Sequence, residues 1–542
     1  MPSIVGTTVL LLIGYIVYTT YTNRARINRL RKAGYPMPPW NWVFGHLLVL
    51  KKYTDRHPAD TFITTSIRDM ARDFSESDMF YLDLWPFTTP VLCVCEADAA
   101  NQATTKNPFP KADSFNVVFE PIMGGPNLLS MNDQEWKEWR ALMNPGFGSG
   151  YIQDLVPAIM DNVELFCTKL RQRADTIFCI EELVTRMTMD IIVKVTLDDD
   201  MNYQNGPNPL ADSLRAMIRW TSFGNFFIRH NPTRPLIMKY YGRIMNRYIQ
   251  GAMTKRWAEY KAEQAQGASK RSKSAISLAL ESYLKKLDNK GLEGAELDRH
   301  FAAYSQYQIR LFLFAGHDTT TGSLVYSLHM LAKYPDVLRR VQEEHTSVFG
   351  PDPADAGNLL RENPALVNQL PYTLAVIKET MRMYAPSGAV RDGVPGRSLT
   401  DRHGTNFPTE GIHISIMHSA IHDNPRLWPR VREFLPERWL VEPGDPLHPP
   451  HGAWRAFEVG PRNCIGQTLA IMELRLTLVM VARTFSIKPA YDEWDSIKPK
   501  GLLEHMGLSK QGANTVDGDR AYPIERGGGH PKDQYPCKVT VL

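Results

Sequence analysis

The chain carries almost no net charge: 62 basic side chains stand against 58 acidic ones over 542 residues. A nucleic-acid partner held by a basic surface therefore has no support in the composition. Gly/Ser linkers, blocks of like charge and internal repeats are also missing, which excludes a string of modules or a repeat array. Cysteine is scarce. The six, Cys93, Cys95, Cys167, Cys179, Cys464 and Cys537, are scattered without a pairwise framework. That excludes a disulfide-stapled scaffold and points to thiols kept reduced. Cys93 and Cys95 alternate within an apolar strand pattern over residues 90–95, so both are expected on one face.

What remains reads as one large, mainly helical domain with a small β region. Residues 4–21 are uncharged and mostly apolar, and the first charged side chain is Arg24. Eighteen helical residues span about 27 Å, which predicts a single membrane-crossing helix. Arg24, Arg26, Arg29, Arg31 and Lys32 follow and would hold that end on the cytosolic side. A cleaved signal peptide would need positive charge before the apolar run and small residues after it, and neither is present. The expected organisation is an anchor over 1–23, a basic and proline-rich hinge over 24–45, and a catalytic body over 46–542. Short strands are expected around residues 79–95, 411–418 and 538–542, and loops over 108–126 and 202–209. Residues 264–273 read as an exposed connector. The longest helix is expected over 304–333.

Near the C-terminus stands Phe457-Glu458-Val459-Gly460-Pro461-Arg462-Asn463-Cys464-Ile465-Gly466. The pattern F-x-x-G-x-R-x-C-x-G should arise by chance in roughly one chain of this length in 10⁴. Gly460 and Gly466 let the backbone turn tightly and approach a flat macrocycle. Arg462 offers a cation to a haem propionate. Residues 467–483 read as a helix whose N-terminus should favour the Cys464 thiolate. A thiolate ligand pushes electron density onto haem iron and favours O–O cleavage.

Other segments supply partners. Ala315-Gly316-His317-Asp318-Thr319-Thr320-Thr321 lies inside the long apolar helix, where Gly316 and successive threonines weaken helical geometry. The hydroxyls can bond back to carbonyls and open a groove, in which Asp318 and Thr319 would relay protons. Trp136 and Arg140, four apart on one helix face, suit a haem propionate, and Arg391 is a further candidate. Glu379 and Arg382 share a helix face, and Arg438 is the candidate third member of a buried ion cluster.

Together these residues resemble the cytochrome P450 monooxygenase family over essentially the whole chain, in its microsomal eukaryotic form and with the texture of a fungal member of secondary metabolism. Trp439 departs from the family pattern, standing where Phe is frequent. The resemblance implies the cytochrome P450 fold, mainly α with a small β region, carrying haem b. Cys464 would ligate the iron, with Trp136, Arg140, Arg391, Phe457, Arg462 and Gly466 around the haem. Electrons would come from NADPH through a separate NADPH–cytochrome P450 reductase, with cytochrome b5 as a second donor. It further implies an endoplasmic-reticulum membrane location, a cytosolic catalytic body and a lipophilic small-molecule substrate. Two rivals share the fold, an oxygen-independent isomerase or dehydratase and a fatty-acid hydroxylase. A haem sensor or electron carrier is the reading from another class. Phe115, Phe119, Phe223, Phe226, Phe227, Phe312 and Phe314 are the expected aromatic lining of the substrate pocket.

Overall fold

The helix Arg299–Lys333 is the axis of the fold in this computed structural model, which describes residues 4–221, 226–265, 274–286, 298–498 and 514–542. It starts five residues earlier than the apolar pattern predicts. Asp298 caps it by accepting the Phe301 N–H at 2.7 Å, which offsets a donor the first turn leaves bare. Apolar side chains surround it on all sides: Ile309, Leu313, Val325 and Met330 are all buried. The helix Ile180–Leu197 runs against it so closely that a Cβ on Gly316 would stand 2.8 Å from the Ile192 side chain. Gly316 is therefore a contact requirement, and the helix continues through it without a break.

The β structure is small and lies to one side. Strands β1 (Met79–Leu82), β2 (Val91–Val94), β4 (Ala389–Asp392) and β7 (His413–Ile416) form a sheet in the order β1-β2-β7-β4. Only the β2–β7 pair is parallel. Its period of two is visible in the packing. Met79, Tyr81, Leu92 and Val94 join one core cluster, and Phe80, Leu82, Cys93 and Cys95 join another. The two cysteines thus share a face. Strand β11 (Pro536–Val541) sits between β3 (Ile177–Cys179) and β8 (Phe485–Pro489). Two hairpins complete the set: β5 (Ser398–Thr400) with β6 (Asn406–Pro408), and β9 (Pro523–Glu525) with β10 (Gly529–Pro531).

Three expectations change. Residues 108–126 are not all loop, because Ser114–Met123 is helical. Pro121 falls in its last turn, where one lost hydrogen bond is tolerable, and Gly124 ends it at φ +88°. The N-terminal helix Ile4–Lys32 runs unbroken through the basic stretch. Arg24 is buried against Asp83 at 2.5 Å, and Ile27 packs into the sheet's core. Lastly, no helix among the described residues is long and apolar enough to cross a membrane. The spanning reading fails because Gly6, Thr7, Thr8, Gly14, Thr19 and Thr20 dilute the apolar run. Leu10, Leu11, Ile13 and Val17 are nonetheless exposed. The connector at 264–273 lies outside the described residues beyond residue 265.

Candidate functional site

The cysteine loop is closed by its own backbone. Cys464 N–H donates to Phe457 C=O at 2.8 Å, and Asn463 N–H donates to Gly460 C=O at 3.1 Å. Gly460 has φ +99°, and a Cβ there would strike the Thr104 carbonyl at 2.1 Å, so only glycine fits. Gly466 differs from expectation: its φ is −87°, and a Cβ would meet only the Cys464 Sγ, at 3.9 Å. Its small size keeps the space beside the sulfur clear and is not needed for a turn. Arg455 ties the loop's entry down, donating to Glu458, Asn101 and Thr104.

Cys464 opens into a cavity of about 270 Å³ between the loop and the central helix. Phe312, Ala315, Gly316, Thr319, Thr320 and Ser323 line it from the helix, and Phe457, Ile465 and Gly466 from the loop. The protein surrounding this cavity pushes the thiol's pKa up by burial, against the Gly466 N–H and Arg140, which both favour the thiolate. The helix terminus alone therefore does not win, contrary to expectation. A metal ion would supply the missing positive charge. The Thr319 hydroxyl donates to the Ala315 carbonyl at 2.8 Å and keeps its acceptor side toward the cavity.

Cations gather at one edge. Arg462 donates to Asn132 Oδ1 at 2.8 Å and to the Leu128 and Met131 carbonyls, and its guanidinium lies 4.7 Å from the Trp136 ring centre. Burial, with Arg391 and Arg140 nearby, pushes its pKa down to about 9. Arg140 is engaged with the loop, bonding Asn463 O at 2.8 Å and Asn463 Oδ1 at 3.1 Å. Arg391 is fully buried, and none of its three guanidinium nitrogens has a hydrogen-bond partner. Lys111 pairs with it through a backbone bridge, and burial, Arg391 and Arg462 hold the ammonium well below its ordinary range. Sequence reasoning missed Lys111 because a lone lysine after a proline carries no spacing signal. It also missed His418, which lines the cavity and contacts Glu458 at 3.3 Å.

The donor set fits haem b. Orphaned guanidinium nitrogens buried beside a cavity call for an anion, which the two propionates would provide. The cleared space at Gly466, the cavity-facing thiol and the apolar helix wall suit a flat macrocycle with a thiolate-ligated iron.

The ion cluster is assembled as expected. Glu379, Arg382 and Arg438 are all buried, with Arg382 Nη2 at 2.9 Å and Arg438 Nε at 3.0 Å from Glu379 Oε1. Trp439 Nε1–H also donates to Glu379 at 3.1 Å, and the Leu435 N–H at 3.1 Å. The carboxylate is therefore fully paired, as a buried charge needs to be. Asp318 is placed differently from expectation: it faces a second cavity, on the other side of the central helix from Thr319. Of the aromatic lining, Phe312 borders the first cavity and Phe119 packs 5.8 Å from Phe314. Phe227 is 84% exposed and does not border the first cavity. Phe223 lies outside the described residues, and the Phe115 and Phe226 side chains lie outside the described ones too.

Comparisons with known proteins agree with this geometry. The family pattern described as cytochrome P450 matches residues 36–510. The chain is 38% identical to the cytochrome P450 monooxygenase polC of Polytolypa hystricis, covering 98% of this chain and 94% of that one. It is 31% identical to the cytochrome P450 monooxygenase acrF of Aspergillus aculeatus, covering 89% and 98%. The crystal structure of the cytochrome P450DA heme domain superposes with a TM-score of 0.70 over 94% of this chain and 98% of that one; at 18% identity this likeness bears on the fold alone.

Proposed function

Because this chain belongs to the cytochrome P450 monooxygenase family, we propose that it oxidises, chiefly by hydroxylation, a lipophilic small molecule of secondary metabolism such as a polyketide or terpenoid. The observation that carries this reading is one cavity bordered by the Cys464 thiol and the Thr319 hydroxyl, with the Arg391 guanidinium buried nearby and all three of its nitrogens without a hydrogen-bond acceptor. When bound there, haem b supplies oxygen activation with NADPH-derived electrons passed on by a separate reductase. Cys464 Sγ holds the iron, and Arg391, Arg462 and Lys111 hold the propionates, with Trp136 stacked under Arg462 and Arg140 bracing the loop. Phe312, Phe147 and Leu129 exclude water and favour an apolar substrate. Thr319 Oγ1, with its own proton on the Ala315 carbonyl, offers an acceptor that orients a proton carrier on the cavity side, and Asp318 supplies protons from its own side of the helix. Glu379, Arg382, Arg438 and Trp439 hold the scaffold behind the loop. The first turns of the N-terminal helix, with Leu10 to Ile13 and Tyr15 to Tyr18 exposed all round it, support association with the endoplasmic-reticulum membrane, with the catalytic body in the cytosol.

The test is the carbon monoxide difference spectrum of the reduced protein in membranes. A strongly red-shifted Soret band is expected for wild type, and its loss in Cys464→Ser. A wild-type band at the position of histidine-ligated haem, in intact protein, would sink the assignment of Cys464.

A further inference from the structure

Asp318 and Thr319 are adjacent in sequence but separated by about 100° of helix, so they face different spaces. The space on the Asp318 side is a cavity of about 540 Å³. Between it and the central helix three buried charges form a line of ion-pair contacts: His530 Nε2 is 3.2 Å from Asp318 Oδ1 and His530 Nδ1 is 3.3 Å from Glu181 Oε1, and a small rotation of the ring is needed to align either N–H with its carboxylate. Their side chains are 4%, 8% and 4% exposed for His530, Asp318 and Glu181. They come from three elements: the hairpin β9–β10, the central helix and the helix Ile180–Leu197.

Glycine makes the line possible. A Cβ on Gly322 would stand 2.9 Å from the Gly529 carbonyl, and one on Gly527 would stand 2.7 Å from Asp318 Oδ2. The run Gly527-Gly528-Gly529 thus lets the hairpin backbone settle against the helix and sets the next residue, His530, onto the carboxylate. Among the described residues, these titratable groups line this cavity with the imidazole: Asp318 and His317 from the central helix, Glu181 from Ile180–Leu197, Glu525 and Arg526 from the hairpin, and Arg215 and Arg219 from Pro209–Arg219. Arg215 is engaged by Glu182 and Tyr203, and Arg526 lies 3.7 Å from Glu181. Asp318 and Glu181 therefore remain the ring's close partners.

We propose that His530 is the proton donor to Asp318 and that the charged cavity between Ile180–Leu197, Pro209–Arg219 and the hairpin is the route by which protons enter from solvent. The proposal rests on the proton-handling role of Thr319 and Asp318 given above. Burial alone would push the ring's pKa down, but the Asp318 and Glu181 carboxylates outweigh it and raise it to about 10, so the imidazolium form holds at neutral pH. The Nε2 proton passes to Asp318 Oδ1. The neutral ring stays beside Glu181, whose Oε1 lies 3.3 Å from Nδ1, and a solvent proton restores Nε2. One proton enters from the cavity for each one delivered, and no electrons move. His530 touches neither haem nor substrate, so it is a positioning and supply residue.

The experiment uses the full-length haem-loaded protein with reductase, NADPH and oxygen, and no added substrate. The readout is the fraction of electrons recovered as hydrogen peroxide between pH 6.5 and 10.5. Wild type should release little peroxide at neutral pH and more as pH rises through the ring's titration. His530→Gln should release at least threefold more near pH 7, with a flat pH profile. The His530→Gln, Glu181→Gln pair, which leaves one carboxylate in place of two, should behave alike and covers the case in which the single variant does not fold. A second readout needs no turnover. The folded-state pKa lies above the ordinary value of 6.5, so the Tm advantage of wild type over His530→Gln should be full below about pH 6.5 and fade as pH approaches about 10. A pH-independent advantage would overturn the ion pair. Wild-type partitioning in a folded His530→Gln, while Thr319→Ala raises peroxide, would overturn the supply route and leave the proposed function standing. Thr319→Ala without effect would remove both.

Discussion

At the scale of single residues, the site is governed by what burial does to charge. Cys464 stands three residues before the helix Gln467–Ala482, yet its thiol is pushed up, because desolvation outweighs the Gly466 N–H and Arg140. Arg391 shows the same rule for a cation: three donors are buried with no acceptor. Glu473, on the helix Gln467–Ala482, is a third case, a buried carboxyl raised well above its ordinary range by burial. Arg391→Met should therefore speed haem loss about tenfold or more, the equivalent of one charge-assisted hydrogen bond of about 1.5–3 kcal/mol. Haem transfer to apomyoglobin would measure it, and an unchanged rate would remove Arg391 from the propionate site. Spacing alone singled out Arg462 and Cys464; it aimed Arg140 at a propionate, whereas the structure sets it on Asn463. Lys111 and His418 were not legible, since their roles depend on which strand and loop lie beside the cavity.

At the scale of elements, close approach is set by missing side chains. The central helix and Ile180–Leu197 meet at Gly316, where an added methyl would press on Ile192 Cδ1 and Cγ1 at 2.8 Å. Gly316→Ala should destabilise by about 1–3 kcal/mol through overpacking. Ile192→Ala in the same chain should return part of that, a coupling readable from urea unfolding of the four variants. Additive effects would show that the contact is not what glycine protects. Apolar periodicity placed the C-terminal end of the central helix at Lys333 but its start five residues late, and it stopped the N-terminal helix well short of Lys32. The helix Ser114–Met123 could not be read, because four prolines between 108 and 126 mask ten residues that the helices around it hold in place.

At the scale of the whole molecule, the N-terminal helix belongs partly to the body. Arg24 is buried against Asp83, and Trp85 Nε1–H donates to Thr20 at 2.9 Å. Deleting residues 1–18 should leave stability nearly unchanged while weakening membrane association. Deleting residues 1–31 should cost about 3–5 kcal/mol, because the Asp83 carboxylate stays buried without its guanidinium partner. Flotation with liposomes and thermal unfolding of the two truncations separate these effects. Equal melting temperatures would show that Arg24 adds nothing to the body.

The sequence by itself determined the cysteine loop Phe457-to-Gly466, the ion cluster of Glu379, Arg382 and Arg438, and the predominance of helix. These depend on residues close along the chain or on a periodicity that a helix or strand converts directly into a face. Tertiary structure alone decided that Asp318 and Thr319 border two different cavities. It also placed His530, more than two hundred residues away, on the Asp318 carboxylate. Such pairings depend on how closely two backbones approach, and that distance is set by glycines and packing contacts from separate parts of the chain, which no local pattern encodes.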